Sequence, residues 1–102
     1  MTLSPEQERA LKRAQEMFRE RLNARLQELS VSVNKASIGA GERYDAFRQA
    51  HSLAGTTATL GMNHLTPALR SVESMLEEDR PDWSKVKKAI ERIFRLHAAA
   101  SE

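Results

Sequence analysis

The side chains of this sequence best suited to nucleophilic chemistry near neutral pH are its imidazoles. There is no cysteine, which excludes disulfide and thiol chemistry, and there are three histidines, at 51, 64 and 97. An ordinary imidazole is in good part neutral and nucleophilic near pH 7. His51 stands apart through its setting. It opens the stretch His51-Ser52-Leu53-Ala54-Gly55-Thr56-Thr57-Ala58-Thr59-Leu60-Gly61. At roughly 100° per residue, Ala46, Ala50, Leu53, Thr57 and Leu60 line up as an apolar seam. Tyr44, Arg48, His51, Gly55 and Ala58 fall on the other side, so the imidazole points away from the core. Gly55 follows one turn later without a side chain. A glycine inside a helix costs about 1 kcal/mol relative to alanine, and close approach of another surface to His51 would account for it.

The other two histidines read differently. His97 falls on the apolar seam of the last helix, as a packing histidine near a helix C-terminus where the dipole favours its charge. His64 stands at a helix entrance and is expected to be exposed. A metal shared by His51 and His64 has no support from paired carboxylates or close histidine spacing. The chain also has no Gly-rich phosphate loop and no acidic cluster of the kind that holds Mg²⁺ in kinases.

The residues around His51 resemble the histidine-containing phosphotransfer (HPt) domain of bacterial phosphorelays. The resemblance rests on Phe47-Arg48-x-Ala50-His51-Ser52-Leu53-x-Gly55, then Leu60-Gly61, Leu65 and Val72-Glu73. The family pattern is complete except for the lysine before the glycine, where Ala54 stands. The resemblance implies that His51 accepts a phosphoryl group from a sensor histidine kinase or a receiver-domain aspartate and passes it to another response-regulator receiver domain. It implies a phosphoryl carrier and no free-standing catalyst. It implies no cofactor of its own, the partner receiver domain bringing Mg²⁺, the aspartate and a lysine. Arg48, Ser52, Ala54 and Gly55 are then expected to form the docking and phosphate environment. Arg48 would offset phosphate charge or pair with acidic groups of the partner, its alternative being an ordinary exposed arginine. Replacing Ala54 by the family lysine is expected to speed transfer. The competing reading is a degenerate bundle that keeps the fold as a protein-interaction module without carrying phosphate.

The elements that would position His51 follow from periodicity and punctuation. Ser4-Pro5-Glu6-Gln7 carries a helix start, with Ser4 as cap, Pro5 in the first turn and Gln7 completing a capping box. Leu11, Phe18, Leu22, Leu26, Leu29 and Val33 continue at helical spacing to about Ala36, in one long helix or two pieces. Gly39-Ala40-Gly41 ends it. The central helix is expected over about 42–60, closed by Gly61. A third begins near 63–67, with Asn63 or Thr66 as cap and Pro67 in its first turn, and its seam is Leu65, Leu69, Val72 and Leu76. The acidic run Glu77-Glu78-Asp79 opposes the dipole and should fray that end. Asp82 caps a last helix with Trp83, Val86, Ile90, Ile93 and His97 on one stripe, Trp83 and Phe94 reading as core anchors. No strand-like alternation appears. The fold class is therefore all-α, an antiparallel up-and-down four-helix bundle with a long or broken N-terminal helix.

Composition sets the outer limits. The chain has 102 residues, 29% charged and 40% hydrophobic, as expected for one soluble domain over 1–102. No apolar run is long enough to cross a bilayer and no signal-peptide core follows Met1, so a cytoplasmic location is expected. Lys and Arg total 16 against 14 Asp and Glu, a net +2. The basic residues of the first helix are interleaved with Glu8, Glu16, Glu20 and Glu28, which favours a solvated face with helical ion pairs over a nucleic-acid stripe. Neither nucleic acid, membrane nor a small-molecule substrate is expected as a partner.

Overall fold

A computed structural model describes residues 2–100 and contains four helices: α1 (Pro5–Ser37), α2 (Arg43–Thr59), α3 (Thr66–Glu77) and α4 (Trp83–Ala100). Each packs on the next, and α4 returns to α1, so the four close into a ring. The short connections force neighbours to run antiparallel. This is the four-helix bundle expected from the sequence, with no strand among the described residues.

The long first helix is unbroken. Phe18, Leu22, Leu26, Leu29 and Val33 are buried at successive spacings of four, four, three and four, and no glycine or proline interrupts 6–38. Its 33 residues rise about 50 Å at 1.5 Å each, which matches the molecule's longest dimension of 49 Å. The predicted capping box is present: Gln7 N–H donates to Ser4 Oγ at 3.2 Å, and the Ser4 N–H donates to Gln7 Oε1 at 2.9 Å.

The core is one cluster to which every helix contributes. Leu22 and Leu26 of α1, Leu53 of α2, Leu69 and Leu76 of α3 and Ile93 of α4 are all essentially inaccessible. Trp83 and Phe94 are half-buried against this cluster, as anchors at its edge. Two glycines end helices as predicted: Gly39 follows α1 with φ +74° and Gly61 follows α2 with φ +70°, a region that side-chain-bearing residues resist.

The start of α3 departs from expectation. Neither Asn63 nor Thr66 caps it; Leu65 occupies the cap position without a side-chain hydrogen bond. The Thr66 hydroxyl is taken by a tertiary contact, donating to Thr57 Oγ1 at 2.8 Å, while Thr57 donates to the Ala54 carbonyl at 3.1 Å. This chain lets Thr57 lie in the apolar seam fully buried. At the other end of α3, where acidic residues oppose the dipole, the first residue of α2 intervenes. Arg43 donates to the Leu76 carbonyl at 2.5 Å and reaches Asp79 at 3.8 Å. The last helix is capped as predicted, Lys85 N–H donating to Asp82 Oδ1 at 3.2 Å.

Candidate functional site

The seam of α2 buries Ala46, Ala50, Leu53, Ala54 and Thr57, which turns the face bearing Tyr44, Arg48, His51, Gly55 and Ala58 outward. The His51 side chain is 66% exposed, enough for a second protein to reach the ring. It is nevertheless held. Its Nδ1 lies 2.5 Å from Oε1 of Glu73 on α3. A carboxylate only accepts, so Nδ1 carries a proton and donates, and in the neutral ring the lone pair is then on Nε2. Glu73 is itself sheltered, at 13% exposure, with Arg70 one turn away at 4.0 Å. Phe47, one turn earlier on α2, stacks against His51, its ring 6.1 Å from the imidazole at 18°, and Tyr44 continues the stack 6.2 Å beyond.

His51 borders an open groove of about 590 Å³ between α1 and α2. Met17, Phe18 and Arg21 form the α1 wall, and Ser52, Gly55 and Leu60 belong to the α2 wall. A Cβ built on Gly55 would meet no atom within 4 Å. The glycine therefore serves no internal packing and leaves the surface beside His51 open.

A family model for the Hpt domain matches residues 13–100. The chain belongs to the Hpt domain family. Comparisons with curated proteins and with solved structures find no match. Hpt domains are phosphocarrier modules that act in phosphorelays with receiver domains and kinases. Among the described residues no helix is long and apolar enough to cross a membrane, and no group of three or more His, Cys, Asp or Glu is placed to hold a metal ion.

Within this Hpt domain the residues singled out from sequence separate into two groups. His51, Ser52 and Gly55 lie together at the groove. Arg48 is exposed on the same helix face, but its guanidinium turns back along α2, 3.5 Å from Asp45 and 5.6 Å from the centre of the Tyr44 ring. Ala54 does not belong to the surface at all. It is fully buried in the α2 seam, so the expectation that position 54 faces a partner's phosphate is corrected. It lies next to Leu53 in the buried stripe of α2.

Glu73 is the site residue that the spacing argument passed over. It was visible only as the second half of Val72-Glu73 in the family pattern. Val72 is buried, and its neighbour is thereby set at the edge of the α3 stripe that meets α2. His64 is exposed ahead of α3. His97 is buried, and burial, with His64 and Arg19 adding like charge, lowers its pKa from 6.5. This reverses the expectation that the helix dipole favours the charged form, because desolvation outweighs a screened terminal dipole.

Proposed function

We propose that His51 is the phosphoryl acceptor of this Hpt domain and that it relays the group between a kinase or one receiver domain and a second receiver domain. The observation that carries this reading is the pairing of an exposed imidazole with a sheltered carboxylate: Glu73 fixes the proton on Nδ1 and leaves Nε2 as the outward nucleophile. The Nε2 lone pair attacks the phosphorus of an aspartyl phosphate presented by the partner. An N–P bond forms as the P–O bond breaks, and the partner's aspartate leaves as a carboxylate. The ring, still protonated at Nδ1, becomes cationic, and Glu73 faces that charge as an acid does beside a catalytic imidazole. Onward transfer runs the same exchange in reverse on another aspartate.

Mg²⁺ belongs to the partner's active site in this scheme, as in the resemblance from which it comes. Ser52 and Gly55 form the rim on which that partner would settle. The open position at Gly55 supports this placement, since a receiver's rim must come within a few ångströms of His51 for in-line transfer. Arg48 is assigned to the edge of the docking face, where release from Asp45 would free it for acidic groups of the partner.

The test is phosphoryl transfer from radiolabelled, phosphorylated receiver domains or kinases. Acid-labile label should appear on the parent and on His64→Gln and His97→Gln, and be absent from a folded His51→Gln. Label surviving in His51→Gln would overturn the assignment. A parent that binds receivers and never takes label would instead make this a non-phosphorylated interaction module.

A further inference from the structure

The charge that an incoming phosphoryl group must meet is missing from α2. Position 54, where the family pattern has a lysine, is buried, and Arg48 is turned toward Asp45 and Tyr44. On α3, Arg70 and Glu73 approach each other at 4.0 Å, and Glu73 is a negative group beside the site. A phosphoryl dianion on Nε2 would therefore face a carboxylate with no committed cation of its own.

The opposite wall supplies two. Arg21 of α1 lines the same groove as His51. Arg25, one turn later, reaches across to α2 and donates from Nη2 to Oγ of Ser52, the residue next to His51, at 3.1 Å. Its guanidinium is steadied over the Phe18 ring, 5.7 Å from the centroid. Neither arginine has an ion pair among the described residues, unlike Arg43, Arg48 and Arg70. Two like charges four residues apart on one helix face repel each other. An anion seated between α1 and α2 relieves that repulsion and draws on both charges. We propose that Arg21 and Arg25 are the phosphate-compensating residues of this domain, α1 providing from across the groove the positive charge that α2 lacks. This rests on His51 being the acceptor.

The role can be read without knowing the natural partners. Phosphoramidate is a small anionic donor: Nε2 attacks its phosphorus, the P–N bond breaks, and ammonia leaves. Diethyl pyrocarbonate is a neutral electrophile for the same nitrogen. Both modifications are followed at His51 by peptide mass spectrometry on the full chain. Arg21→Gln and Arg25→Gln should each slow phosphoramidate labelling by about two- to fivefold, the range of an exposed charge pair. Their reaction with diethyl pyrocarbonate should match the parent. Arg21→Lys and Arg25→Lys should keep most of the anionic rate, and high salt should bring parent and glutamine variants together. Equal losses with both reagents would mean that the arginines only shape the groove, and unchanged rates with both would mean that they do not reach the site; either overturns the proposal. Transfer to receivers is a separate readout. A domain that labels with this charge dependence and passes nothing on contradicts the relay reading and leaves the arginine assignment standing, whereas failure of the parent to label at all removes both.

Discussion

Glu73→Ala takes away the acceptor that holds His51 Nδ1, so the ring loses both its fixed tautomer and the negative charge facing the cation formed during transfer. A hydrogen bond to a charged group contributes about 1.5–3 kcal/mol, less where solvent reaches one partner, so transfer rates should fall about tenfold. Glu73→Gln restores an acceptor oxygen without the charge and should fall between the two. Stopped-flow transfer from a phosphorylated receiver separates these cases, and equal rates in all three proteins would remove Glu73 from the mechanism. Ala54→Lys tests the opposite kind of residue. With the position sealed in the core, lysine has to carry its ammonium out to solvent or displace the core side chains around it. Overpacking costs about 1–3 kcal/mol, so the variant should melt below the parent and gain nothing in transfer rate. At this scale the sequence was informative about direction and silent about distance. Helical periodicity turned His51 and Gly55 outward, because the seam opposite them is made of small and apolar residues. It could not show that Arg48 turns back to Asp45, which depends on a rotamer. Nor could it show that Glu73 meets His51 across 22 positions of sequence, which depends on how α2 and α3 pack.

Helix α2 is the element on which exposure and stability can be set against each other. Gly55 lies mid-helix with open space around its Cα, so Gly55→Ala should stabilise the fold by up to about 1 kcal/mol through helix propensity alone. Gly55→Glu should also stay folded and melt no lower than the parent, yet it puts bulk and negative charge one turn from the incoming phosphoryl group. Thermal melts by circular dichroism and a transfer assay on the same sample decide the matter. Unfolding would mean that the glycine serves helix packing, and normal transfer would place the docking surface elsewhere. The ends of the helices show where local reading stops. Ser4 with Gln7, Asp82, Gly39 and Gly61 act as caps and stops because each works through its own neighbours in sequence. The two ends of α3 are held by residues of α2 instead, Thr57 at the start and Arg43 at the finish. Arg43→Ala should therefore lower stability by about 1 kcal/mol, leaving the Leu76 carbonyl without its donor, although position 43 belongs to another helix. Chemical denaturation of that variant beside the parent measures it.

The bundle as a whole carries a pH dependence that no single helix would predict. His97 ends the core stripe of α4, below Val86, Ile90 and Ile93, and is buried where α4 meets the rest of the molecule. Desolvation is the largest cause of its lowered pKa, with His64 from the α2–α3 connection and Arg19 from α1 adding repulsion. The two charged groups that act on it thus come from two other parts of the chain, brought to it only by the bundle. In the unfolded chain the same imidazole titrates near its ordinary 6.5. Above that pH both states leave it neutral and folding is unaffected. As pH falls below 6.5 the unfolded chain takes up a proton that the folded one refuses, so stability declines with a slope of at most about 1.4 kcal/mol per pH unit until the lowered folded pKa is reached. His97→Gln abolishes this titration. Denaturant midpoints collected from pH 7.5 downward should therefore fall more steeply for the parent than for His97→Gln, with the two curves separating below about 6.5. His64→Gln removes one of the repelling charges, raises the folded pKa of His97, and should shorten the interval over which the parent loses stability. Parallel curves for parent and His97→Gln would mean that the imidazole is protonated inside the bundle after all, with the cost of its burial met by the fold.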